Sequence, residues 1–143
     1  MEKIISEEQV KTLARVALQA RDNAYAPYSH YQVGAALLCA DGAVYTGCNV
    51  ENASYGATNC AERTAFFKAV SEGKRKFTAI AIAGGMEGQA PRDYAYPCGV
   101  CRQVMQEFGG EDFLVLVIKS EAEYQIYRLK ELLPYGFGGA SIQ

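Results

Sequence analysis

Four side chains able to do chemistry fall in two short stretches, Asn59-Cys60-Ala61-Glu62-Arg63 and Pro97-Cys98-Gly99-Val100-Cys101. Three thiolates hold a zinc ion and leave its fourth tetrahedral position for water, which is the ligand count of a catalytic site. A closed structural site wants a fourth protein ligand, and the only histidine, His30, stands in a different segment beside a turn, where it reads as a solvated loop residue. Glu62, two residues from Cys60, is then the natural proton carrier. A lone C-x-x-C also occurs in redox dithiols and in half-sites of structural zinc. The discriminating feature is the combination of Cys-x-Glu, a long gap and Pro-Cys-x-x-Cys.

The pattern also says where these groups sit. Asn59 reads as an N-cap, followed by Ala61, Ala65, Phe66, Ala69 and Val70 at helical spacing and ended by Gly73. Residues 98–108 carry Cys101, Val104, Met105 and Phe108 at the same spacing, with Gly109-Gly110 as the stop. Cys60, Cys98 and Cys101 are thus expected in the first turns of two helices, where unpaired backbone N–H groups and the macrodipole favour thiolate. Three thiolates around a divalent ion leave a net charge of about −1, which weakens the metal as a Lewis acid, so a neighbouring donor matters more than in a histidine site. Arg63 is the candidate.

The remaining elements must bring those two turns together. Ser6-Glu7-Glu8-Gln9 is a capping box opening an amphipathic helix that runs to about Asn23, and Pro27 keeps the helix from continuing. Residues 33–39 and 44–50 are apolar and β-branched, and the Asp41-Gly42 pair between them signals an antiparallel hairpin. Residues 51–58 form a small, polar loop leading to the first cysteine helix. Residues 77–83 make a strand, 84–96 a long loop, and 113–118 and 124–127 two further strands, before a short helix from Leu129 to Leu133 closed by Pro134. This order predicts an α/β layered domain, a mixed five-stranded sheet packed between helices, spanning residues 1–143.

Bulk properties exclude several classes. The chain has 143 residues, is 50% apolar or aromatic and 21% charged, and carries a net charge of −2. That is a single globular domain needing no disulfide staples. With Lys74-Arg75-Lys76 the longest basic run, there is no footprint for nucleic acid. The N-terminus turns polar at once and no apolar run reaches membrane length, so a cytoplasmic protein with no membrane partner is expected. Five cysteines is an odd count, and Cys39 and Cys48, left over in strand-like runs, read as small core hydrophobes.

The motifs together resemble the zinc-dependent cytidine deaminase family, in its short, three-cysteine, homotetrameric form. The likeness spans nearly the whole chain: beyond the cysteines it rests on Tyr25-Ala26-Pro27-Tyr28-Ser29, Val33-Gly34-Ala35-Ala36, Gly47-Cys48-Asn49-Val50-Glu51-Asn52-Ala53 and Leu132-Leu133-Pro134. The resemblance implies hydrolytic deamination of cytidine and deoxycytidine in pyrimidine salvage, one Zn2+ per subunit, and Glu62 as proton shuttle. It further implies that Asn49 and Glu51 bind the ribose hydroxyls, that the Ala61 backbone and Glu62 hold the base, and that Tyr31 stacks beside it. Ala53, Tyr55 and Phe137 correspond to residues lent by a neighbouring subunit, and Arg63 to the donor on the zinc thiolates. Two positions depart from the family pattern: Tyr31 where phenylalanine is usual, and Val100 where alanine is common. An antibiotic-directed aminonucleoside deaminase shares the metal motif, but the Asn49-Val50-Glu51 pair favours a true nucleoside. An enzyme editing single-stranded nucleic acid is disfavoured by the acidic balance. A non-catalytic zinc or dithiol module leaves Glu62 without a task.

Overall fold

A computed structural model describes residues 5–142. Helix α1 spans Glu7–Ala20 and opens on the expected capping box: the Gln9 amide donates to Ser6 Oγ at 3.1 Å, and the Ser6 amide to Gln9 Oε1 at 2.9 Å. A short 3-10 turn, Arg21–Asn23, carries it to the predicted end. Strands β1 (Tyr31–Cys39) and β2 (Val44–Cys48) form the hairpin. Its turn uses Gly42 at φ +94°, a left-handed value that suits glycine, and an Asp41 carboxylate that accepts from the Ala43 amide at 3.0 Å.

Then come α2 (Ala61–Ser71), β3 (Phe77–Met86), α3 (Gly99–Phe108), β4 (Leu114–Ile118), β5 (Tyr124–Arg128) and the single turn α4 (Leu129–Leu132). β3 runs three residues beyond its expected end because Gln32 and Tyr31 pair with Gly85 and Met86, lengthening the ladder through two glycines. β2 stops short of Val50, which makes only isolated bridges to Tyr25 and Asn59.

The sheet is mixed and five-stranded, in the order β2-β1-β3-β4-β5. All pairs are antiparallel except β3 with β4. That parallel pair needs a crossover, and α3 is the crossover helix. Alternation sorts the strands onto two faces. Ala36, Leu38, Ala79, Ala81, Ala83, Leu114, Leu116 and Ile118 pack with Val10, Leu13, Ala14 and Ala17 of α1. Ala35, Leu37, Ile80, Ile82, Val115 and Val117 pack with Phe66 of α2 and Met105 of α3. Cys39 is buried in strand β1 as expected, while Cys48 is only half-buried, and burial pushes both thiols up from their ordinary pKa. Among the described residues no helix is long and apolar enough to cross a membrane.

Candidate metal centre

Two glycine-enabled contacts set the position of the first ligand. At Gly47 of β2 an added Cβ would stand 2.2 Å from the Ala61 carbonyl oxygen and 2.6 Å from the Ala65 amide, so the first turn of α2 lies directly on β2 only because no side chain intervenes. Cys60, not Asn59, is the N-cap of α2, with no side-chain cap hydrogen bond. The physical reason is the bridge in which Asn59 and Val50 exchange backbone hydrogen bonds at 2.9 Å each, which holds Asn59 extended and turns its amide toward Thr64 Oγ1 at 3.1 Å. The Thr64 hydroxyl in turn donates to the Cys48 carbonyl at 3.0 Å, tying α2 to the end of β2. Freed from capping, the Cys60 thiol points into the cluster.

The second pair of ligands opens α3. Cys98 is its N-cap, at φ −70° and ψ 169°, and Cys101 lies one turn on, fully buried. The Sγ atoms of Cys60, Cys98 and Cys101 all lie within 4.8 Å of one another, and Cys60 and Cys98 are 3.8 Å apart. Residues far apart in the chain therefore converge at the N-termini of two helices, where positive dipole ends favour anions.

Electrostatics agree with a cation-binding cluster. Arg63 Nη2 donates to Cys60 Sγ at 3.3 Å. The hydrogen bond from Cys101, and then the Arg63 guanidinium, hold the Cys60 thiol well below its ordinary pKa despite partial burial, while the Cys101 thiol is pushed up by that shared hydrogen bond and by burial. Burial lowers the pKa of Arg63, but the thiols of Cys60 and Cys101 outweigh it and the net shift is upward. Glu62 is only 4% exposed, and burial pushes its carboxyl up to about 7, the cluster charge adding in the same direction. A carboxyl poised there both takes and gives protons near neutral pH.

The donor set fits zinc. Among the described residues the three thiols form a group that no histidine, aspartate or glutamate joins, which leaves a fourth position free of protein ligand. Among the described residues Arg63 Nε is the buried side-chain nitrogen left without a hydrogen-bond partner, a cationic donor whose other end rests on sulfur. It suits a thiolate cluster whose charge a divalent ion only partly cancels.

The other sequence-derived residues occupy several separate places in the fold. Asn49 is buried, its Oδ1 accepting from the Val33 amide at 2.9 Å and its Nδ2 donating to the Tyr31 carbonyl at 2.8 Å. Glu51 accepts from the Tyr28 and Ser29 amides at 3.0 and 3.1 Å and from the Ser29 hydroxyl, bonds that hold its carboxyl below the usual range, the hydroxyl foremost. Glu51 and Tyr55 line one cleft of about 360 Å³. Tyr31 shares a face of β1 with Val33, its hydroxyl over Gly84, and lines a separate cavity of about 130 Å³. Ala61 is fully buried at the start of α2; Ala53 and Phe137 lie on the surface, Phe137 with 58% of its area exposed. Val100 is exposed on α3.

Sequence reasoning missed three supports. Thr64 is one; its place four residues after a ligand, on the helix face over β2, was a usable signal. Arg21, buried at the end of α1, donates to the carbonyls of Gln32, Met86 and Gln89, which pins the loop beyond β3. Arg102, adjacent to Cys101, bonds two carbonyls.

Residues 7–117 match the family model described as the cytidine and deoxycytidylate deaminase zinc-binding region. The chain belongs to the cytidine and deoxycytidylate deaminase family. Its relatives include a cytidine deaminase of Halalkalibacterium halodurans, 51% identical over 125 residues, or 87% of this chain and 91% of that one. The crystal structure of the cytidine deaminase from Burkholderia pseudomallei is 46% identical and superimposes with a TM-score of 0.81, covering 88% of this chain and 97% of that one. The cytidine deaminase structure from Mycobacterium tuberculosis is 42% identical with a TM-score of 0.72, covering 89% and 95%.

Proposed function

We propose that this protein hydrolyses cytidine and deoxycytidine, water displacing the ring amino group to give uridine or deoxyuridine and ammonia. The observation that carries the reading is a buried carboxyl, Glu62, in the first turn of α2 beside a three-thiol cluster that no fourth protein ligand joins among the described residues.

Cys60, Cys98 and Cys101 would hold the zinc ion. Bound there, zinc supplies a water whose ionisation is brought toward neutral pH. The work of moving protons belongs to Glu62. Its carboxyl, held near 7, accepts the proton of the attacking water and hands it to the ring nitrogen, then takes the second proton from the hydroxyl now on the ring carbon and delivers it to the departing amino group. Exclusion of solvent strengthens each of these contacts, since the side chain is almost wholly buried. Arg63 offsets the negative charge of the thiolates and so keeps the metal electrophilic.

Substrate placement falls to the groups around the cluster. Glu51, braced by Tyr28 and Ser29, presents a carboxylate to the ribose hydroxyls, and Asn49 keeps one amide hydrogen beyond its bond to Tyr31 for the same purpose. The Ala61 backbone and the ring of Tyr31 hold the base. In a homotetramer, Ala53, Tyr55 and Phe137 would complete a neighbour's site, which accords with their exposure in the single chain.

The test is ammonia release from cytidine by wild type and Glu62→Gln, with zinc measured on both. A loss of about 10²- to 10⁴-fold in a variant that retains its zinc is expected. Zinc-loaded wild type that leaves cytidine untouched sinks the reading. A monomer in sedimentation, with full activity, removes the shared-site part of it.

A further inference from the structure

Arg102 directly follows the last thiol, yet its guanidinium reaches past the sulfur atoms to two carbonyls. Nε donates to the Pro97 carbonyl and Nη1 to the Leu132 carbonyl, each at 2.7 Å. The first carbonyl belongs to the peptide that delivers Cys98, so the bond sets where that ligand begins. It lies before the N-cap, outside the helix ladder, and the side chain of Pro97 is fully buried. The second carbonyl ends α4, where the C-terminal segment starts.

The same helix grips that segment further along. Gln103 Nε2 donates to the Phe137 carbonyl at 2.7 Å. Gly136 passes so close that an added Cβ would stand 2.9 Å from Gln106 Oε1 and 3.0 Å from Leu133 Cδ2. Helix α3 thus carries two of the three thiols at one end and holds the backbone of Phe137 along its outer face.

We infer that Arg102 is a positioning residue that fixes both the peptide delivering Cys98, and with it metal retention, and the start of the C-terminal segment, acting through the Pro97 and Leu132 carbonyls. The inference rests on the zinc-deaminase reading above. A planar guanidinium supplies donors in two diverging directions at once; a lysine ammonium is a single point on a flexible stem and cannot bridge both carbonyls with the same rigidity. Arg102→Lys therefore keeps the charge and removes the bridge. Gln103→Ala removes only the hold on Phe137.

The experiment compares wild type, Arg102→Lys and Gln103→Ala as zinc-loaded proteins. Zinc transfer to a colorimetric chelator, KM and kcat for cytidine, and thermal midpoints are recorded for each. Arg102→Lys is expected to release zinc about tenfold faster and to raise KM, the scale for losing a group that orients a ligand. Gln103→Ala is expected to raise KM while zinc leaves at the wild-type rate. Wild-type zinc release by Arg102→Lys overturns the inference, including where its thermal midpoint falls, because that pattern assigns Arg102 to stability alone. Faster zinc release by Gln103→Ala overturns it too, since metal retention would then follow any loosening of the segment. Absence of zinc from wild type is a separate result, visible before any variant is made, and removes the underlying reading along with the inference.

Discussion

Replacing Gly47 by alanine tests whether the metal centre depends on the seating of α2 against β2. An added Cβ would meet the Ala61 carbonyl oxygen at 2.2 Å and the Ala65 amide at 2.6 Å, both backbone atoms that cannot rotate away. Ordinary contact begins at 3.4 Å, so the first turn of α2 must retreat by about 1.2 Å. That turn carries Cys60 and Glu62, and a zinc site tolerates ligand distances within only about 0.2 Å. The matched control is Gly34→Ala, whose Cβ would meet the Ala17 carbonyl at 2.1 Å and the Arg21 amide at 2.6 Å, on the opposite face of the sheet against α1. Overpacking of this kind costs about 3 kcal/mol at either position. For a chain of this length each kcal/mol lowers Tm by about 4 °C, so both variants are expected to melt about 12 °C below wild type. Only Gly47→Ala is expected to release zinc to a chelator faster, by about tenfold. Equal zinc retention by Gly47→Ala and wild type, or equal loss from Gly34→Ala, refutes the claim that this contact places the ligand.

Two further outcomes follow from the buried groups. The Glu62 carboxyl is raised from 4.5 to about 7 on folding, so the folded state binds more protons between those values; its contribution is full below about pH 4.5 and is lost as pH rises through 7. In metal-free protein the urea stability of wild type should therefore fall, relative to Glu62→Gln, by about 3 kcal/mol from pH 4.5 to 8, and a pH-independent difference contradicts the burial argument. Asn49→Ala removes the partners of the Val33 amide and the Tyr31 carbonyl, and a loss of about 3 kcal/mol in urea unfolding is expected. A change under about 0.5 kcal/mol, typical of a surface site, would show that water replaces both bonds.

Local chemistry alone was enough for much of this protein. The capping box at Ser6, the Asp41-Gly42 turn, the apolar runs that make strands of residues 33–39 and 113–118, and the two cysteine-bearing helix starts are all written in neighbouring residues, because caps, turns and apolar runs act within a few positions. The three thiols of the metal site were legible as well, since cysteine type and the Cys-x-Glu and Cys-x-x-Cys spacings mark them despite the long gap between. What only the tertiary structure decided is how distant pieces meet. The order β2-β1-β3-β4-β5, the parallel pairing of β3 with β4, the convergence of three thiols within 4.8 Å, and the grip of Arg63 on Cys60 depend on which elements pack together. Asn59 illustrates the boundary: its type favours a cap, but pairing with Val50 claims its backbone and passes the N-cap position to Cys60. Asn49 and Arg102 carry no local mark of their backbone partners, which lie 16 and 30 residues away for Val33 and Leu132. Those contacts exist because buried carbonyl and amide groups left outside a helix or sheet must find partners, and which side chain reaches them is settled only when the layers close.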